Sequence, residues 1–502
     1  MKKSILMIVA GLSLTAMHAQ EITTADAIRY AQDNLTGTAR FRAMSGAFGA
    51  LGGDLSSINV NPAGSAIFAN NQFGASLTSY NTKNESDYFG TNTSATNSAF
   101  DLNQIGAVFV FDNDNTNSGW RKLTLAVNYE NANNFDDSRY SAGTNPSNSI
   151  ANYFVNYANM GGGIALSTLE NNNYEQLGFA DQQAFLGYHS YLINPTTTDP
   201  ANNTYISNVP AGNYFQENYF ESTGYNGKVT FNAAAQYKDK LYIGLNLNSH
   251  FTDYRQVSSL YESNDNNLTT GIQRVRFNNE LYTYGSGFSF QLGTIAKVTK
   301  EFRIGLAYES PTWLQLFDEL SQSISSVRSE EGNEQPVTGV NPQVVNVYEG
   351  YNLQTPSKWT GSLAYVFGKK GLVSLDYALK DYSSTKFKPT NDTQLQTLNT
   401  EMSNFLDTTG ELRIGAEYRI KEFSLRGGFR NEQSPYKNKS IMGDLTGYSA
   451  GIGYNFGATK LDLAYSYAQR EFEQGFLTSG LTNAANFDAI NNNVTLTLLF
   501  EL

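Results

Sequence analysis

Few side chains in this sequence can do chemistry. The chain has 502 residues, three histidines and no cysteine. Without cysteine there is no thiolate nucleophile, disulfide, thiolate metal site or lipidated N-terminal cysteine. His18 falls in an apolar N-terminal segment, which leaves His189 and His250. A serine hydrolase would want an assembled Ser-His-Asp triad behind its nucleophile, and nothing here assembles one. Haem capture needs an axial His, Met, Tyr or Cys. His189 beside Tyr188 offers one, although a lone loop histidine is more often a polar surface group. Asp112–Asn117 (DNDNTN) and Asn264–Asn267 (NDNN) resemble calcium loops only in composition. Both lack the Gly and terminal Glu spacing of an EF-hand and read as solvated turns. No catalytic residue, metal site or cofactor follows. A formal charge of −12 carries no nucleic-acid footprint.

What remains is recognition of apolar matter. Two aromatic patches lie between residues 131 and 221. One holds Ile150, Phe154, Val155, Tyr157 and Met160; the other Leu177, Phe179, Phe185, Leu186, Tyr188 and Tyr191. Each reads as a loop helix whose apolar side turns either to a ligand or to the loop itself. Phe154, Tyr157, Phe185 and Tyr188 are the candidate ligand contacts. A third unusual stretch is FRAMSGAFGALGGDLSSINVNPAG, residues 41–64. It is compact, rich in Gly, Ala and Ser, and free of reactive side chains.

The elements that position these segments repeat one pattern. Residues 1–19 have the Lys2–Lys3 charge and the Ile5–Leu14 apolar run of an export signal, too short to span a bilayer. Cleavage after Ala19 is expected. Charged residues are 16% of the chain, against roughly 25% in soluble domains, yet mean hydropathy is −0.40. Period-two alternation recurs: Leu241, Ile243, Leu245 and Leu247 alternate with Tyr242, Gly244 and Asn246, and Val494, Leu496, Leu498 and Phe500 run almost to the C-terminus. Fourteen such segments are expected, near 71–81, 104–112, 121–130, 222–237, 240–254, 283–298, 301–309, 357–367, 371–381, 410–420, 422–431, 446–457, 459–470 and 492–502. Most have the length of a tilted membrane strand.

The connections alternate long and short. Tight turns centre on Asp112–Trp120, Lys238–Asp239, Thr299–Lys300, Lys369–Lys370, Lys421 and Ala458–Thr459. Long connections fall near 82–103, 131–221, 255–282, 310–356, 382–409, 432–445 and 471–491, with 131–221 and 310–356 the longest. Outer-membrane barrels have this asymmetry. The expected fold is therefore all-β: a transmembrane antiparallel barrel of fourteen strands, residues 71–502, with apolar side chains toward lipid. Arg303, Glu309, Asp376, Lys380, Arg413, Glu417, Arg426, Arg430 and Asp462 are expected to face inward, since Arg or Lys on the lipid face near the midplane costs roughly 2–4 kcal/mol. An even strand count places both termini in the periplasm. The final strand, with Phe500 near its end, suits recognition by an assembly machine. Tyr237, Tyr254, Tyr308, Phe367, Phe423, Tyr448 and Tyr467 are expected at the bilayer interfaces.

Residues 20–70 precede the first strand. Thr24–Asn34 predicts a short helix capped by Thr23 or Thr24, and 41–64 is small enough to fold into the lumen. Here the residues Met44, Gly46, Ala47, Phe48, Ala50, Asp54 and Ser56, followed by Asn61, Pro62, Ala63 and Gly64, resemble the N-terminal hatch of the FadL/TodX outer-membrane transport family. The composition and the Ala19–Gln20 junction look like those of Bacteroidota envelope proteins. The family resemblance implies passive uptake of hydrophobic small molecules, such as long-chain fatty acids or aromatic compounds, past a luminal plug and out sideways into lipid. Its partners would be that hydrophobic molecule or lipid, and outer-membrane lipid. A second reading is an accessory subunit bound to other outer-membrane proteins in a secretion or assembly complex. A general porin fits the plug less well. The family's main capture groove is attributed to its third and fourth outer loops, whereas the long loops here are the second and fourth. No groove residue carries over.

Overall fold

The computed structural model describes residues 22–115, 117–264 and 269–502. The export signal expected at 1–19 lies outside the described residues, as does most of the Asn264–Asn267 turn. Fourteen antiparallel strands form the wall. They are β1 (Gln72–Tyr88), β2 (Thr91–Asp112), β3 (Trp120–Asn134), β4 (Tyr214–Tyr237), β5 (Leu241–Asn264), β6 (Gly271–Lys297) and β7 (Phe302–Glu309). Then follow β8 (Lys358–Val366), β9 (Gly371–Asp381), β10 (Thr408–Ile420), β11 (Phe423–Glu432), β12 (Leu445–Asn455), β13 (Thr459–Gly475) and β14 (Ala484–Glu501). The barrel closes where β1 pairs with β14, from Gln72↔Glu501 to Asp87↔Asn486. Closure joins the first strand to the last, so the sheet has no free terminal edge in hydrocarbon.

The alternation sorts as its chemistry requires. Leu241, Ile243, Leu245 and Leu247 are exposed on the outer surface, as are Leu461, Leu463, Val494, Leu496 and Leu498. Asp376, Glu417, Arg430 and Asp462 are buried on the inner side. Tyr237, Phe367, Phe423 and Tyr448 are exposed near strand ends, consistent with an interfacial aromatic belt. Tyr254 departs from that expectation. It is buried in the interior, with the Arg29 guanidinium 4.0 Å from its ring centre, because β5 continues well past the apolar band and its upper side chains meet the luminal segment.

The long connections are partly wall. Residues 82–103 form a continuation of β1 and β2 that turns at Phe89–Gly90, paired from Tyr88↔Thr91 to Thr82↔Asn97. Most of 255–282 likewise belongs to β5 and β6. Trp313–Glu330 extends the wall above β7 and pairs with β6 from Phe288 to Gly271. Beyond the membrane both faces of a strand can be polar. Hydrophobic alternation then ends while the hydrogen-bonded ladder continues.

Above the wall, Ala151–Asn159 (α3), Leu166–Asn171 (α4) and Phe179–His189 (α5) form a cap. Its core joins Ile150, Phe154, Leu169 and Leu186 to Leu260, Phe277 and Ile324 of the strand extensions. Both aromatic patches are therefore helical, as their spacing implies.

Candidate functional site

The segment before β1 folds inside the barrel. Thr24–Ala31 forms α1, closed by a Thr23–Asp26 capping box. Ala39–Ala43 forms α2, with the Thr38 side chain accepting from Phe41 N. Asn61 caps a short 3-10 turn at Pro62–Ile67, its side chain accepting from Ala63 N. Gly64 serves close approach: a Cβ on Gly52 would sit 2.8 Å from the Gly64 Cα. The two backbones touch, and only glycine leaves room for the other.

Almost every residue from Ala39 to Ala66 is buried, and the wall supplies its hydrogen bonds. The Phe48 and Gly49 amides donate to Asp376 Oδ2, each at 2.9 Å. Asn61 Nδ2 donates to Gly49 O at 2.7 Å and Thr294 O at 3.0 Å. Asn232 donates to Pro62 O at 2.9 Å, Asn246 to Ile58 O at 2.8 Å, and Gln291 to Asn59 O at 3.0 Å. Irregular backbone at membrane depth is tolerable only when it is satisfied in this way. The wall in turn presents Gly244, Gly293, Gly305, Gly415, Gly428 and Gly451 wherever this backbone presses closest. Asp54 is buried as well, accepting from Thr38 Oγ1 at 2.8 Å and Ser56 N at 2.9 Å. Ala47, Phe48 and Ala63 are fully buried, and Gly46 takes a positive φ of 79°. All eleven motif residues from Met44 to Gly64 are buried and thus belong to one packed unit held by the wall.

Charges line the same level. Glu417 Oε2 receives Arg40 Nε and Arg426 Nε, each at 2.8 Å, and Arg426 Nη1 reaches Asp462 Oδ1 at 2.5 Å. Higher up, Asp33 sits 2.8 Å from Lys358 and 3.3 Å from Lys380. Burial alone would raise the Asp33 carboxyl, but the two ammonium groups overcome it and hold it well below the usual carboxylate range. Two polar cavities of about 110 and 100 Å³ flank residues 30–36.

The wall has one discontinuity beside these cavities. Pairing of β2 with β3 ends at Gln104↔Glu130. Above it β3 carries an irregularity at Asn131–Asn133, and its continuation Asp137–Asn145 pairs with β4. Side chains bridge the step, with Asn131 Nδ2 donating to Asp101. Ala132 borders one cavity, Asn134 and Asp136 the other. Phe100 is 71% exposed on β2 at this step.

The candidate ligand residues of the second outer loop are spent in packing. Phe154 is fully buried against Phe277, ring centres 5.3 Å apart. Tyr157 packs on Phe179 at 5.8 Å. Phe185 lies between Tyr174 and His189, and the Tyr188 hydroxyl donates to Glu170. His189 Nε2 lies 3.1 Å from the Leu169 carbonyl, and His250 Nε2 lies 2.8 Å from Ser289 Oγ. Asp376 and Glu417 are expected from sequence to face inward, but the wall's Asn232, Gln291 and inward glycines are not singled out as partners of the luminal segment. Their signal was available as glycines and amides at inward strand positions, which mark close approach of another backbone.

Comparison with known proteins agrees with this architecture. Residues 193–496 match the family model described as outer membrane protein transport protein (OMPP1/FadL/TodX). No curated protein matches. Among solved structures, a Pseudomonas aeruginosa FadL homologue is similar at TM-score 0.51 and 12% identity, over 93% of this chain and 99% of that one. The P. putida toluene transporter TodX is similar at TM-score 0.50 and 13% identity, over 93% and 99%. At these identities the structural likeness establishes the fold.

Proposed function

Because this chain belongs to the outer-membrane transport protein family OMPP1/FadL/TodX, we propose that it is a channel for passive uptake of hydrophobic small molecules, fatty-acid-like or aromatic, with lateral exit through the wall. The name of one similar structure, a toluene transporter, supports aromatic cargo. In this reading residues 1–19 direct export, both mature termini face the periplasm, and the long connections face outward. Residues 20–70 act as the hatch.

The observation that carries the reading is the seal itself. Below the cavities the lumen is filled by hydrogen-bonded backbone and by the Arg40–Glu417–Arg426–Asp462 chain. An apolar solute passing straight down would have to separate buried, paired charges, which is strongly unfavourable. The step between β2 and β3 borders the cavities above that seal, and Phe100 beside it is exposed on the apolar outer surface.

The absence of native cysteine makes the test clean. An Asp101→Cys/Asn131→Cys pair would bridge the step, since those side chains touch. Oxidation is expected to cut uptake of radiolabelled toluene or oleate at least tenfold, with recovery on reduction. Unchanged uptake in the oxidised form removes the lateral route. Uptake by the unmodified protein no faster than by cells lacking it removes the channel reading altogether.

A further inference from the structure

Two arginines meet beside the larger of the two cavities flanking residues 30–36, and only one has a carboxylate. Arg42, in α2, is 1% exposed. Its Nη2 donates to Ser466 Oγ at 3.0 Å and, with the Asn493 amide turned to present its oxygen, to Asn493 at 3.2 Å. Its Nε and Nη1 have no hydrogen-bond partner. Arg40, two residues away, is neutralised by Glu417; among the described residues Arg42 has no such ion pair. Arg430, on β11, lies 2.9 Å from Glu432, but that carboxylate is shared with Arg470 at 3.2 Å. Arg42 and Arg430 both border the cavity of about 110 Å³, together with Ser45, Tyr80 and Asn491. One carboxylate, Asp136, also borders it, and its Oδ1 already accepts from Gly224 N at 3.1 Å.

A guanidinium does not escape burial by losing its proton. Left dry without a counter-charge it is destabilising. The nearest remedy is an anion. Planar guanidinium groups bind carboxylate and phosphate oxygens through paired N–H donors, and the flanking hydroxyls add further donors.

We propose that this cavity is a binding site for a compact oxyanion, a carboxylate or phosphate group, held between Arg42 and Arg430 at the junction of the luminal segment and the wall. It does not depend on how hydrophobic cargo travels. The oxyanion has two sources, a free ion or the head group of an amphiphile.

The test uses the whole folded barrel in neutral detergent, with thermal unfolding followed at constant ionic strength in chloride. Sodium phosphate, sodium octanoate and the neutral control octanol are titrated separately. The midpoint is expected to rise with octanoate and not with octanol. A rise with phosphate as well identifies a free-oxyanion site; a rise with octanoate alone identifies a head-group site. Arg42→Met is expected to melt no lower than the parent without anion, because it removes an uncompensated charge, and to lose the anion-dependent rise. Arg430→Gln should weaken the apparent affinity at least tenfold. Should Arg42→Met fail to fold, the Arg430 variant and the ¹³C carboxyl resonance of labelled octanoate on the parent protein decide the matter. Equal effects of octanol and octanoate, an undiminished rise in the variants, or no rise with either anion would overturn the assignment. Uptake of neutral toluene is measured separately, so this site and the channel reading fail independently.

Discussion

The packing of the luminal segment on wall glycines predicts a paired experiment. Gly244 of β5 faces inward against the Asn-Pro turn. A Cβ there would fall inside the van der Waals envelope of the Pro62 carbonyl carbon and lie 2.5 Å from Ala63 N and Pro62 O. Ordinary contact needs about 3.5 Å, so Gly244→Ala must push the turn inward by on the order of 1 Å. The contacts are backbone, which cannot swing aside. That motion also stretches the bonds from Asn232 to Pro62 O and from Asn61 to Thr294 O. Overpacking typically costs about 1–3 kcal/mol, and each strained hydrogen bond adds about 0.5–1.5 kcal/mol. Gly361 of β8 is the matched control, since a Cβ there meets nothing within 4 Å. Urea unfolding in phospholipid vesicles should show Gly244→Ala destabilised by about 2–6 kcal/mol and Gly361→Ala close to the parent. In planar bilayers the Gly244 variant should conduct more ions, because its seal is displaced, while Gly361→Ala stays near-silent. If the two variants have equal stability and equal conductance, the turn does not press on β5 and the hatch account fails.

Three further outcomes are expected. Glu417→Gln leaves Arg40 and Arg426 short of a counter-charge in a buried site, and the loss should be about 3–5 kcal/mol; an unchanged urea midpoint would show that the chain of charges contributes nothing. In the outer extension, burial pushes the Asp318 carboxyl up to about 6, against about 3.9 for a free side chain. The folded state then binds more protons between those values, so this contribution is complete below about pH 4 and lost as pH rises through 6. Hydrogen exchange around α1 should report that slope, and Asp318→Asn should flatten it. Phe154→Ala empties a fully buried ring site in the cap and should cost about 3–5 kcal/mol locally, read by protease cleavage of residues 151–189; wild-type resistance to cleavage would mean the ring is not part of the cap's core.

Much was legible in advance because the membrane imposes a two-residue rule on every spanning strand. Leu245 and Asn246 could be assigned to opposite faces from neighbouring letters alone, since a lipid-facing asparagine or a luminal leucine is penalised locally. The same logic located all fourteen strands, the Thr23-capped helix and the small-residue segment ending at Gly64. Outside the bilayer that penalty vanishes. The continuation of β1 and β2 through Thr82–Asn103 therefore looked like loop, and Tyr254 looked interfacial. Which wall residue meets which part of the luminal segment was beyond the sequence. Phe48 and Asp376, or Gly244 and Pro62, are brought together only by closure of the barrel around the chain that precedes it. That Arg42 has no ion pair among the described residues is likewise a property of the closed structure. Local pattern says where a side chain must point, and only the tertiary arrangement says what stands opposite it.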